Sequence, residues 1–291
     1  MASQGTRPAR RQPVHEEVEE RASRKVDSRM RSSRSKRTQR LRRRYAVPYD
    51  IEGPHVRLGM LWFVVALAAL AAGPLVTAVL YGAVAAVAAA QAARAWRRRE
   101  ERPNELVAAG TAGAMGLGAC LGAGGAGLAL LLGVVIAFVV ATGDAKSPNS
   151  TVTDVGWTIQ CGLFPGGVAM SMVLLARLDQ GSAIALLLLV SAYETGDYIV
   201  GSGACNPYEG PAAGLSALVV VTFIVSTLPI STLGFGEAWL FGGAVAVLAP
   251  AGQLMASALL PAAAAPASSL RRLDSLLLAA PLWCWGVGLV L

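Results

Sequence analysis

Two short stretches of this chain set ionisable residues directly beside apolar runs. The first is "SAYETGDYIVGSGACNPYEGPAAG", residues 191–214. Glu194 and Asp197 stand three apart, the spacing that puts two side chains on one helix face. Glu209 follows in the predicted loop. Two or three carboxylates open to solvent could hold Mg²⁺, which takes one or two carboxylates plus waters and phosphate oxygens. The second stretch is "SSLRRLDSLLLAAPLW", residues 268–283. Here Arg271, Arg272 and Asp274 precede an apolar run. An ionisable residue in a membrane span costs on the order of a few kcal/mol, so it marks a functional position by default. Spacing alone leaves a second reading of each stretch. Glu194 and Asp197 could be hydrated helix-end residues, or partners of Arg272. The two arginines could be surface anchors.

The elements that must carry these residues are membrane helices. Of the 291 residues, 54% are hydrophobic and 15% are charged, where a soluble domain carries about a quarter charged. Residues 1–50 hold 15 Lys/Arg against 6 Asp/Glu, a net of +9. The other 241 hold 10 against 12, a net of −2. A basic polar tail, predicted disordered, thus precedes an almost uncharged body at 57–291. The tail has no aromatic residues among its arginines. That disfavours nucleic acid and favours an anionic membrane surface. The first apolar stretch starts near Leu58, far from the N-terminus, so it is expected to stay in the mature chain.

Apolar runs of about 20 residues are long enough to cross a bilayer. The pattern predicts an all-α polytopic bundle of about nine spans. These are 57–72, 75–94, a hairpin within 106–141, then 156–176, 183–200, 212–232, 237–259 and 275–291. Gly73–Pro74 supplies the first break, since proline removes a backbone donor. "GAGG" marks the turn of the hairpin, and a kink is expected at Gly166–Gly167 after Pro165. The tail, the arginine loop at 94–102 and Arg271/Arg272 all fall on one side. The positive-inside rule makes that side cytoplasmic. Loops 201–211 and 260–274 are expected to face it too. The four cysteines (Cys120, Cys161, Cys205, Cys284) have no metal or redox spacing.

Both stretches carry a resemblance. "LLLLVSAYETGDYIVGSG" followed by "NPYEGPAAG" resembles the phosphatidate cytidylyltransferases, or CDP-diacylglycerol synthases. That family has a helix ending in an acidic-Thr-x-x-Tyr-x-x-Gly segment and then a Ser-Pro-Lys-Lys-Thr-x-Glu-Gly loop. Glu194, Thr195, Tyr198 and Gly201 are in step, and Asn206–Pro207 and Glu209–Gly210 flank the loop. "GGVAMSMVLLARLDQG" fits the preceding order. "LRRLDSLLLAAPLW" is similar to the family's C-terminal Leu-Asp-Arg-Ile-Asp-Ser signature, through Arg272, Asp274 and Ser275. The resemblance covers roughly residues 57–291.

It implies a reaction: phosphatidate attacks the α-phosphorus of CTP, pyrophosphate leaves and CDP-diacylglycerol forms. It implies Mg²⁺ held by Glu194, Asp197 and Asp274, with Arg272 and Asp274 as catalytic residues. Tyr198, Glu209 and Arg271 would contact substrate, and a homodimer would suit the family. Departures fall at important places. Arg271 replaces the family's first aspartate in the C-terminal signature, and a cation repels the metal that the aspartate would bind. Only Tyr208 stands where the loop lysines should be. "GQLMASALLP" puts Gln253 and Ala256 at acidic positions and Leu260 and Pro261 at a basic pair. "AAAAPASS" shortens the loop that follows.

Three functional readings result. The chain is a divergent cytidylyltransferase, or an inactive relative acting as a scaffold, partner or lipid-binding protein, or a transporter sharing only a polytopic body. A transporter should show an internal repeat, and the sequence has none.

Overall fold

A computed structural model describes residues 55–97, 102–144, 148–204, 206, 208–262 and 265–291. The predicted tail at 1–50 lies outside the described residues, as do Cys205 and part of the arginine loop. The remainder is helical, with no strand among the described residues. The helices are α1 (His55–Ala72), α2 (Pro74–Arg97), α3 (Glu105–Gly118), α4 (Ala123–Asp144), α5 (Pro148–Leu178), α6 (Gln180–Gly201), α7 (Glu209–Thr227), α8 (Phe235–Leu259), the short α9 (Ser268–Arg271) and α10 (Leu276–Val290).

Six of them (α2, α4, α5, α6, α7 and α8) are long and apolar enough to cross a membrane. Three shorter apolar helices accompany them: Leu58–Ala72, Glu105–Leu121 and Leu276–Val290. This is the architecture of a multi-pass membrane bundle. Outward positions on α4 and α7, such as Leu131, Val139, Val219 and Phe223, are exposed and apolar, as hydrocarbon contact requires.

The breaks follow local chemistry. Gly73 has φ of 109°, a left-handed value that glycine adopts without a Cβ penalty. α2 then starts on Pro74, where the missing N–H costs nothing. Gly122, with φ of 103°, turns α3 into α4 after a 3₁₀ turn at Ala119–Leu121. Asn104 caps α3, its side chain accepting from the Leu106 and Val107 amides, both at 3.1 Å.

Several boundaries differ from the sequence reading. α5 starts at Pro148, eight residues before its predicted start, and runs unbroken through Pro165, Gly166 and Gly167. α7 stops at Thr227 rather than 232, ahead of Pro229, whose ring disfavours helix in the residue before it. The segment 260–274 is no open loop. Leu260, Leu270 and Leu273 are fully buried. These apolar anchors seat both ends of the segment in the bundle.

The α5–α6 junction ties the loops at one end. The Arg177 guanidinium donates to the Ala119 carbonyl at 2.9 Å. The Gln180 amide donates to the Leu70 and Ala71 carbonyls at 2.6 and 3.2 Å. Both carbonyls lie at helix ends, where backbone acceptors lack intrahelical partners. Asp179 caps α6, accepting from the Gly181 amide and from the amide and hydroxyl of Ser182. It also accepts from the amide and hydroxyl of Thr232 ahead of α8. The candidate site lies at the opposite end, where α6 and α8 finish.

Candidate functional site

Four segments build the site. α6 contributes Tyr193, Glu194 and Asp197. Helical spacing places Glu194 seven residues from Gly201, about 10 Å along the axis. α8 contributes Gln253 and Ser257. The segment from α9 into α10 contributes Arg271, Arg272, Asp274 and Ser275. α2 contributes Tyr81 and holds the last segment in place: Gln91 accepts from the Ser269 amide at 2.9 Å, and the Trp96 indole donates to the Leu259 carbonyl at 2.7 Å.

Gly252 lets the 272–275 turn lie against α8. A Cβ there would run into the Asp274 carbonyl. Gly214 does the same for Tyr193, whose ring would meet a Cβ at 2.9 Å. The turn is closed by backbone bonds from Leu273 to Leu270 and from Leu277 to Asp274.

Asp274 is 6% exposed and Asp197 3%. Asp197 counters the expectation of carboxylates open to solvent and is no hydrated helix-end residue. The Arg271 guanidinium stands 3.8 Å from Asp274 Oδ2 and donates to the Ser257 hydroxyl at 3.1 Å. That hydroxyl donates to the Gln253 carbonyl at 3.1 Å. Asp274 Oδ1 accepts from the Ser275 amide at 2.8 Å and faces the Ser275 hydroxyl at 3.4 Å. The same hydroxyl is within hydrogen-bonding reach of Glu194, and Asp274, Arg272 and Asp197 are the charges that act on Glu194. Arg272 passes over α1, its guanidinium 3.2 Å from where a Cβ on Gly59 would sit.

Asp274 lies between α9 and α10, outside the spanning helices. Burial pushes its carboxyl well above the usual range, against the opposing pull of Arg271 and the Ser275 hydrogen bonds. Burial also lowers Arg271, with Asp274 acting the other way.

Two hydroxyls complete the site. Tyr81 and Tyr193 are fully buried, and neither hydroxyl has a hydrogen-bond partner among the described residues. Glu194 is the charge that acts on Tyr81, and Asp197, Asp274 and Glu194 are those that act on Tyr193. Such an orphaned buried polar atom demands an explanation.

The fold therefore gathers Glu194, Asp197, Arg271, Arg272 and Asp274. Tyr198 is half-buried on α6, and Glu209 is exposed as the first residue of α7, beside an exposed Tyr208. The site also holds Tyr81, Tyr193 and Ser257, which sequence reasoning did not select. A tyrosine in the alanine-rich α2 was the one signal for Tyr81, because a hydroxyl is out of place in such a run.

Among the described residues no three His, Cys, Asp or Glu side chains are grouped to hold a metal. The Asp274 oxygens are engaged by Ser275 and face Arg271. No protein-family model matches the chain, and no curated protein matches it.

Proposed function

We propose that this protein is a cytidylyltransferase-like membrane protein that binds a phospholipid headgroup at the Glu194–Asp274 centre without carrying out the transfer. In this reading nine apolar helices cross the bilayer, and the basic tail and the charged centre lie on the cytoplasmic side. The tail adds attraction to anionic lipid, about 1 kcal/mol per Lys or Arg near the surface.

The observation that carries the reading is the Arg271 guanidinium, 3.8 Å from Asp274 and hydrogen-bonded to Ser257. A guanidinium stands where the resemblance implies a metal-binding carboxylate. Arg271 and Arg272 retain the chemistry that binds phosphate oxygens, since guanidinium matches them in a two-pronged geometry. They cannot replace a metal that bridges the phosphates of CTP in a transfer.

An active transferase is the second reading. The convergence of Glu194, Arg272, Asp274 and Ser275 from segments some eighty residues apart favours it. A cytidylyl-transfer assay separates the two. Purified protein in detergent receives phosphatidate, labelled CTP and Mg²⁺, beside an Asp274→Asn control. No labelled CDP-diacylglycerol is expected, while lipid is retained through purification. Product that disappears in the control would overturn the inactive reading.

A further inference from the structure

Two unlike groups meet one nitrogen of the Arg271 guanidinium. Nη1 donates to the Ser257 hydroxyl at 3.1 Å and stands 3.8 Å from Asp274 Oδ2. The first distance is a hydrogen bond, and the second is too long to be one. Asp274 therefore supplies charge, and Ser257 supplies direction. The guanidinium keeps further contacts as well.

Ser257 is suited to that task by its own bonding. It is fully buried on α8, and its single O–H is committed to the Gln253 carbonyl four residues earlier, at 3.1 Å. A serine tied back to that carbonyl has a fixed hydroxyl orientation. Acceptor lone pairs are what it has left to face Arg271. α8 is in turn set close against the 272–275 turn, because Gly252 has no Cβ to meet the Asp274 carbonyl. An acceptor anchored to backbone thus stands at a set place beside the arginine.

Without that acceptor the guanidinium has an alternative close by. Asp274 lies three residues on in the same turn, and guanidinium and carboxylate form short, two-pronged pairs. Closing the 3.8 Å gap would draw Arg271 inward. Its side chain is 19% exposed and that of Asp274 8%, so the arginine is the member of the pair that reaches the surface.

We infer that Ser257 is a positioning residue, which holds the Arg271 guanidinium off Asp274 in the place from which it meets a headgroup phosphate. This rests on the headgroup-binding reading above and adds the residue that sets its preference for phosphate.

The test exchanges the full chain in detergent against equimolar dioleoyl phosphatidate and dioleoylglycerol, which differ only in the phosphate, and measures the ratio retained. The wild-type chain is expected to favour phosphatidate. Ser257→Ala should lower that ratio about tenfold, the factor that one hydrogen bond to a charged group gives. Its thermal midpoint should stay near the wild-type value, since Asp274 then takes up the guanidinium. Ser257→Cys, of similar volume but with a weak acceptor, should lower the ratio too, and keeps the test decisive if the alanine variant does not fold. In the background Arg271→Ala/Asp274→Asn, where Arg272 still favours phosphatidate, Ser257→Ala should leave the ratio unchanged.

A ratio unchanged by both Ser257 variants in the wild-type chain overturns this inference alone. So does an equal fall in the background without Arg271, which would make Ser257 a packing residue only. A wild-type chain that retains neither lipid, or both equally, overturns the headgroup reading itself.

Discussion

Asp179 and Asp274 are both acidic residues at ends of the helix bundle, yet their surroundings differ in kind. Asp179 meets five donors from three neighbouring residues. They are backbone amides and hydroxyls at the starts of helices, which need an acceptor there anyway. Burial pushes its carboxyl up, but the Ser182 and Thr232 hydrogen bonds outweigh that and leave it below the usual value. Asp274 meets one close amide, a serine hydroxyl at 3.4 Å and a guanidinium at 3.8 Å. Its carboxyl is raised instead, and tyrosine hydroxyls nearby are left unpaired. A polar cluster that satisfies its own members is a structural clamp. One that leaves them unsatisfied within a packed bundle is arranged for something else.

The largest break in this comparison should come from Arg271→Ala. It leaves Asp274 buried without its cation, which costs about 3–5 kcal/mol for a buried pair. Thermal unfolding in detergent should show that loss, and Asp274→Asn in the same chain should recover part of it. Recovery would establish that the cost lies in the stranded carboxylate.

Asp179→Asn comes next, with a loss of about 1–2 kcal/mol expected for a cap that also holds a neighbouring loop. The two carboxylates respond oppositely to pH. The folded Asp179 binds its proton less tightly than the unfolded chain does. Its stabilisation is present above the ordinary carboxylate range and is lost as pH falls through the lowered value. The folded Asp274 binds its proton more tightly, so its contribution weakens as pH rises from the ordinary range to the raised value. A stability curve taken from acid to neutral pH should lose its acid limb in Asp179→Asn. In Asp274→Asn it should lose the decline on the neutral side.

The smallest effect should be Arg94→Ala. The Arg94–Glu105 bond is short, 2.8 Å, but the arginine side chain is 62% exposed. Exposed pairs contribute less than about 1 kcal/mol and weaken with salt. A loss as large as that of Arg271→Ala would mean that burial is not what separates the charged centre from the surface.

Much of the fold was legible because bilayer thickness and backbone hydrogen bonding allow few solutions. A chain with 54% hydrophobic residues and charges confined to short stretches must form apolar helices. Gly73–Pro74 and Gly122 announced breaks through backbone chemistry alone. The start of α5 was not legible, since Pro148 through Asp154 is polar enough to read as loop, and the sequence does not show that a helix continues through it. The candidate site was legible in part. Glu194, Asp197, Arg271, Arg272 and Asp274 stood out because charge is rare in such a body. The burial of Asp274 did not, because it depends on Leu270 and Leu273 seating the turn beside Gly252.

What the sequence determined by itself, then, is the class of solvent, the helical architecture and the few residues able to carry charge chemistry. Each follows from composition and local spacing. Only the tertiary structure decided that Arg271 faces Asp274 across 3.8 Å and that Tyr81, more than a hundred residues from Glu194 in sequence, comes within reach of its charge. Contacts of that range depend on how closely the helices approach and which faces they share. In an alanine- and glycine-rich bundle many such packings are compatible with the same apolar pattern.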